Sequence, residues 1–374
     1  MASDDLKARD IALMLNGNAL ALARTLFPAG VEAGGFFTIG SVAGESGHSL
    51  KIRLSGDKAG TWADYSCDEG EEAGKGDMLK LAKLALGHAD YAEAVRWAKG
   101  WLGIESMDGD ALEKQRKRME MAQRRAEQRR DGVREDKRQQ AEGMWIGAGK
   151  LIGSPAMEYL RATRGIDFAA IGAIPSALRF RGDVYHGEHQ RKLPAMCSAF
   201  WSVDARIVGC HLTFLHRLPD GRWDKLPDML IDGKRVKVAK KIRGPTYWGA
   251  HIPICKGAFK GPLRDIPAGM PVYAAEGIEN AASVAMARPD ERIVAAGTLG
   301  NLGAMELPPQ AGDLILICDN DPEGSKASDS LEKQIRAQQL RAREQGSPRK
   351  VRCLWPAPGF KDFNDQLRGI RNDG

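Results

Sequence analysis

From Pro271 to Pro356, short apolar runs alternate with helix-forming stretches, and this alternation constrains the fold more than any other feature. "PVYAAEG" reads as a strand, "IENAASVAMARP" as a helix, "RIVAAG" as a strand and "LGNLGAMEL" as a short helix. "DLILICDND" follows as a strand, "SKASDSLEKQIRAQQLRAREQG" as a long helix and "KVRCLWP" as a last strand. Strands that alternate with helices through short connections pair in parallel, because each helix serves as the crossover. The order predicts a small parallel sheet with helices on both faces. In such a sheet, functional groups gather beyond the carboxyl ends of the strands.

Three acidic residues fall there. Glu276 ends the first strand and is followed by Gly277; Asp319 and Asp321 end the third, and Gly324 comes three residues later. At the two-residue period of a strand, Asp319 and Asp321 point to one side of the chain. Carboxylates held this close repel one another unless one is protonated. A hard divalent cation removes that conflict, and Mg²⁺ suits one or two protein carboxylates together with waters and phosphates. In isolation, D-x-D reads first as a polar turn with an Asp that caps a helix. The preceding apolar strand and the second strand-ending carboxylate favour phosphate chemistry through a metal.

The pattern Glu276-Gly277, then Asp319-x-Asp321-x-x-Gly324, resembles the Toprim domain of bacterial-type primases, topoisomerases and some nucleases, over roughly residues 270 to 368. The resemblance implies that Glu276, Asp319 and Asp321 hold one or two Mg²⁺ ions, with Mn²⁺ as a substitute. "KDFND" (Lys361 to Asp365) resembles the tail motif of Toprim domains in phage and plasmid primases, which adds Asp362 and Asp365 as metal candidates. Upstream, "LPAMCSAFWSVDARIVGCHLTFLHRL" and "KVAKKIRGPTYWGA" resemble the segment that precedes Toprim in phage-type primases. There the resemblance implies basic residues that face the metal site and bind template or triphosphate: Lys240, Lys241 and Arg243, with Lys225 and His211 as outlying candidates. Lys241 joins the acidic triad in the expected catalytic set. For each of these cations, a strand end facing water is the competing reading.

The first hundred residues read as an α+β unit: an amphipathic helix in "DIALMLNGNALALARTLF", strands at "FFTIG", "SLKIRLSG" and "GTWADYS", a loop "CDEGEEAGKG", and helices from Asp77 and at "YAEAVRWAKGWLG". The order resembles a primase zinc-binding domain, but between Trp62 and Gly76 only Cys67 remains, with His48 the nearest other soft ligand. One Cys and one His do not make a closed four-ligand site, so no zinc is expected. The six cysteines form no C-x-x-C pair, which excludes a zinc ribbon and a disulfide framework. After this unit, residues 114 to 130 hold eight Lys or Arg against two Glu. This reads as a solvated helical linker or as a helix lying along a phosphate backbone.

The expected organisation is therefore α/β and α+β multidomain. It comprises a degenerate zinc-binding-like domain over residues 1–104, a charged helical linker over 105–143, a mixed α+β primase-core subdomain over 144–269 and a Rossmann-like Toprim domain over 270–374. The resemblance implies a DNA primase of phage or plasmid type that joins nucleoside triphosphates on a single-stranded DNA template in DNA replication. A separate replicative helicase is its expected partner, because no G-x-x-x-x-G-K-[ST] is present. A Toprim nuclease and a non-catalytic DNA-binding accessory protein are the alternatives. The complete acidic triad weighs against the second, and a topoisomerase requires a much larger chain. With a net charge of +6, no long apolar run and no signal-peptide pattern at the start, a cytoplasmic location without membrane contact is expected.

Overall fold

The computed structural model describes residues 7–56, 58–67, 74–104 and 109–371. By its internal contacts the chain divides into two compact units, Met1–Val133 and Arg134–Gly374. In the first, helices α1 (Ala8–Gly17) and α2 (Ala19–Leu26) precede strands β1 (Val31–Ala33), β2 (Phe36–Ile39), β3 (Leu50–Arg53), β4 (Thr61–Asp64) and β5 (Lys75–Asp77). Helices α3 (Met78–Ala85) and α4 (Tyr91–Trp101) follow. The strands form one antiparallel sheet in sequence order. Leu50 and Ile52 are buried while Lys51 and Arg53 are exposed, the alternation of a sheet with one solvated face.

The single helix expected at Asp10–Phe27 is two. Asn18 sits between them, and its side-chain amide donates to the Met14 carbonyl (2.9 Å), a local bond that competes with helical continuation. Strands β1 and β5, three residues each, carry no alternation long enough to read. The loop expected after Cys67 falls largely at residues 68–73, outside the described residues.

Helix α5 (Gly109–Ile146) begins in the first unit and ends in the second. Its last turns correct the expectation of a solvated linker as far as residue 143. Ala141 and Trp145 are buried, the Trp145 indole N–H donates to the Ala177 carbonyl (2.8 Å), and the Arg179 guanidinium lies 3.8 Å from that ring's centre. Arg138 pairs with Glu135 and Glu142 and donates to the Ile207 carbonyl. The apolar residues are too sparse in a charged helix to show as a periodic stripe.

Beyond α5, the described residues of the second unit form two larger sheets and a separate two-stranded one. β6 (Gly149–Lys150), α6 (Pro155–Glu158) with a π-helical turn at Tyr159–Thr163, and α7 (Phe168–Ile171) lead into β7 (Leu178–His186), β8 (Arg191–Trp201), β9 (Ile207–Arg217) and β10 (Trp223–Lys225). These strands order as β10-β9-β8-β7-β6. The hairpin β11 (Met229–Ile231) and β12 (Lys234–Val236) precedes β13 (Lys240–Arg243), which pairs antiparallel with β9.

The second sheet contains β14 (Ile252–Cys255), β15 (Val272–Ala275), β16 (Arg292–Ala295), β17 (Leu314–Ile317) and β18 (Val351–Leu354), in the order β14-β16-β15-β17-β18. The last four pair parallel with one another, and α8 (Ile278–Ala287), α9 (Leu299–Ala304), α10 (Lys326–Glu344) and α11 (Phe363–Arg368) accompany them. Alternate residues serve opposite faces: Tyr273, Ala275, Ile293, Ala295 and Ile317 pack with α8, whereas Val272, Ala274, Val294, Leu314 and Leu316 pack with α9 and α10. The parallel sheet with helices on both faces is as the sequence predicts. The boundary at residue 270 is corrected, because β14 lies before it yet pairs antiparallel with β16. No crossover helix links β14 to its sheet, so the repeating pattern does not reveal it. Among the described residues no helix is long and apolar enough to cross a membrane.

Leu316 is fully buried between the sheet and its helices. Leu316→Ala is expected to destabilise the second unit by about 2–5 kcal/mol, seen as a lowered midpoint of its thermal transition by circular dichroism.

Candidate active site

The parallel register sets Ala275 beside both Ala295 and Ile317, so the chains leaving β15 and β17 emerge side by side. Glu276 is the first residue past β15, and its carbonyl accepts from Gly297 N–H (2.8 Å). Asp319 stands two residues past β17, and the Asn280 amide donates to its Oδ1 (2.6 Å). The strand alternation expected to carry through to Asp321 stops here. Asp321 N–H bonds the Asp319 carbonyl (3.0 Å), which turns the chain within three residues. Asn320 is pinned by the carbonyls of Pro356, Phe360 and Lys361. Gly324 has φ +73°, a left-handed conformation suited to glycine, and Ser325 then caps α10.

A cavity of about 160 Å³ opens at these strand ends. Glu276, Asp319, Asp362 and Asp365 line it with Glu279 and Asn280, and Arg164, Lys225 and Lys240 supply its positive wall. Asp362 caps α11 by accepting from Asp365 N–H (2.8 Å) while also facing this cavity. Asp321 is not among the lining residues and sits 4.0 Å from the Lys361 ammonium. Its charge nonetheless acts on both Glu276 and Asp319.

Burial pushes the Asp319 carboxyl up, and the charges of Asp362, Glu276 and Asp321 push it further, to about 7. Burial likewise raises Glu276, against the opposing pull of Lys240. Asp365 is raised by burial and by Asp362. These carboxylates are thus crowded with like charge, the situation a hard cation relieves. Among the described residues no three His, Cys, Asp or Glu side chains converge tightly enough to form a ready-made chelate. The set is a loose ring of oxygen donors, matched in chemistry to a cation that keeps much of its water.

A second cavity of about 590 Å³ adjoins the first and shares Glu276, Lys225 and Lys240 with it. Lys237 and Lys241 also line it, as do Tyr247 and Thr298. Lys241 pairs with Glu188. Arg243 lies in neither cavity and is exposed at the end of β13. His211 lines the larger cavity but is buried; burial and the nearby Lys240 hold it near 3, so it stays neutral.

The sequence pattern does not single out a buried network behind the site. Glu279 accepts from Tyr159 Oη (2.7 Å) and from the Lys225 ammonium (2.7 Å). Burial raises the Glu279 carboxyl, but Lys225 and Lys240 more than offset this and hold it well below the usual range. Arg164 bonds Tyr159 Oη (3.0 Å) and Asp224 (2.8 Å). Asn364 donates to Ser283 Oγ and to the Arg164 carbonyl, and its N–H bonds Asn280 Oδ1. The available signal was Glu279 itself, three residues past Glu276 and the one charged residue of α8.

Asp319 binds its proton more tightly in the folded chain than unfolded, so stability falls as pH rises from about 4 to about 7 and stays reduced above. Asp319→Asn removes this loss and keeps an acceptor for Asn280. In metal-free buffer the variant is expected to exceed wild type by about 1–3 kcal/mol at pH 8 and to match it near pH 4. Thermal melts across that range check this.

A sequence match to one family model agrees with the strand-end geometry. Residues 271–370 match the model of the Toprim domain, and residues 135–250 match a domain of unknown function (DUF7146). No curated protein matches the chain. Among solved structures, the primase fragment of the bacteriophage T7 primase-helicase protein is 15% identical, over 60% of this chain and 77% of that one, with a TM-score of 0.34. The zinc-binding and RNA polymerase domains of Aquifex aeolicus primase are 11% identical, over 96% and 82%, with a TM-score of 0.37. The E. coli primase catalytic core is 12% identical, over 66% and 76%, with a TM-score of 0.35. The sheet, its strand-end carboxylates and the sequence match together identify residues 271–370 as a Toprim domain.

Proposed function

We propose that this chain is a primase-type nucleotidyltransferase that joins nucleoside triphosphates into short oligonucleotides on single-stranded DNA. The observation that carries this reading is the abutment of the two cavities, one acidic and one lined by four lysines, with Glu276, Lys225 and Lys240 on their common wall. A polyphosphate needs cations along its length and an oxygen-ligated metal at its reacting end, and the paired cavities offer both. The Toprim match over residues 271–370 supports the same chemistry.

In the proposed reaction, the 3′-hydroxyl of one nucleotide attacks the α-phosphorus of a second, and pyrophosphate leaves. Glu276, Asp319 and Asp321 would hold Mg²⁺, with Asp362 and Asp365 beside them; when bound, it supplies charge stabilisation to the attacking and leaving oxygens. Lys240 and Lys225 neutralise the triphosphate, and Lys237 and Lys241 extend the cationic wall for template or nucleotide phosphates. Asn280 fixes one Asp319 oxygen and leaves the other for binding. Glu276, whose carboxyl burial raises, would also be the group that accepts the proton of the attacking hydroxyl. Most of the rate then comes from positioning and charge neutralisation. A separate helicase and a role in replication belong to the same reading.

The test is synthesis of labelled oligonucleotides on single-stranded DNA with Mg²⁺ or Mn²⁺. Wild type is expected to make them, and Asp319→Asn and Glu276→Gln to lose about 10³-fold or more in kcat, as when a main source of transition-state charge stabilisation is removed. Lys240→Gln is expected to raise the nucleotide KM about tenfold, the loss of one charge-assisted contact. Metal-dependent degradation of the template without synthesis would replace this reading with a nuclease. Unchanged synthesis in Asp319→Asn and Glu276→Gln would refute the assigned site.

A further inference from the structure

Beside the lysine cavity, three aromatic rings lead from the core to solvent. Phe200 is fully buried, and its ring centre lies 5.4 Å from that of Tyr247. Tyr247 lines the lysine cavity and stacks on Trp248, with centres 5.4 Å apart and planes 17° from parallel. Trp248 ends the ladder 56% exposed. An indole of this size left open to water forgoes burial of a large apolar surface.

The backbone that carries the ring is anchored from below. Trp248 N–H donates to Thr246 Oγ1 (3.2 Å), and Gly249 N–H donates to Asn301 Oδ1 (2.9 Å). The fully buried Asn301 donates in turn to the carbonyls of Ala250 and Ala296, each at 2.8 Å. At Gly300, a Cβ would stand 3.0 Å from the indole, so α9 meets the ring edge with no atom to spare. The aromatic ladder therefore projects from a fixed backbone beside Lys237, Lys240 and Lys241.

We infer that Trp248, backed by Tyr247, is a base-stacking platform for single-stranded nucleic acid, one nucleobase lying on the indole while adjacent phosphates run along the lysines. The inference rests on the nucleic-acid reading of this site and adds to it a positioning contact made through the π-face of a base. Flanking cations beside an open aromatic ring are the combination by which single strands are held without sequence readout. An apolar protein partner would bury Lys237 and Lys240, which make no ion pair among the described residues, against it without counter-charges.

The test is fluorescence anisotropy of the full chain with a labelled oligothymidylate and with copies carrying one abasic site at successive positions. Trp248→Ala is expected to bind the intact oligonucleotide about tenfold more weakly, and Trp248→Phe to retain most of the affinity. One abasic position should weaken wild type by a similar factor and leave Trp248→Ala unaffected, so that the two losses do not add. Lys240→Gln should weaken every oligonucleotide alike and should add to the abasic effect. Wild-type affinity in Trp248→Ala, or equal abasic sensitivity in the variant and wild type, overturns the platform while leaving the nucleic-acid site standing. Absence of oligonucleotide binding by wild type overturns the nucleic-acid reading, and the platform with it.

Discussion

A carboxylate buried at Glu279 governs how the second unit is assembled. It is 8% exposed, on the face of α8 that looks away from solvent, and an ionised carboxylate there is untenable without cations and donors drawn from elsewhere in the chain. Lys225 comes from β10, Tyr159 from the π-helical turn, and Arg164 reaches Tyr159 from the same stretch. These partners lie more than fifty residues from Glu279 in sequence, so satisfying one buried charge docks the antiparallel sheet onto the Toprim sheet. Removing one member of such a set costs about 3–5 kcal/mol, because the remaining charge stays buried without an answer. Apolar sets of similar volume are often as stable as buried ionic ones, so stability alone does not account for this set.

Hydrogen bonding explains how the carboxylates tolerate one another. Asn364 holds Asn280, and Asn280 holds Asp319, a relay that runs from the N-terminus of α11 through α8 to the end of β17. Each donor fixes one acceptor, so Asp319 is kept near Glu276 and Asp362 although all three repel. The cost appears as the raised proton affinity of Asp319 and Glu276. Lys225 and Lys240 sit on the boundary, where they counter the acids on one side and give the larger cavity its positive charge on the other. Strain concentrated in a few groups, supported by relaxed ones around them, is the pattern of a site built to bind something.

Much of the Toprim sheet was legible because its strands are short, apolar and punctuated by helices with clear periodicity. Glu276, Asp319 and Gly324 were legible because each stands where a strand or turn ends. Asp321 was half legible: its charge reaches the others, but the turn at Asn320 breaks the alternation that placed it beside Asp319. Glu279, Asn280, Arg164 and Asn364 were not legible, since each matters through a partner far away in sequence, and no local pattern encodes such a meeting. Strand β14 escaped for a similar reason, as its pairing with β16 follows from no repeat. The end of α5 escaped because Ala141 and Trp145 are isolated apolar residues in a charged helix. Among the cations, Lys240 and Lys241 reach the site while Arg243, in the same short strand, is left at its exposed end.

The division of labour between the two sheets follows from what each can hold. A parallel sheet buried on both faces is stiff, and its strand ends fix carboxylates whose spacing matters to chemistry. The antiparallel sheet contributes lysines from β10 and β13, where long flexible side chains reach charges spread along a polyphosphate or a strand. Phe200, at the end of β8, belongs to the core that joins both sheets and is also the base of the aromatic ladder. The same packing that closes the core therefore sets the height of Trp248 beside the lysines. The carboxylates thus stand at the ends of buried strands and the lysines on longer side chains beside them, so the acidic centre is positioned by the regular elements of the fold.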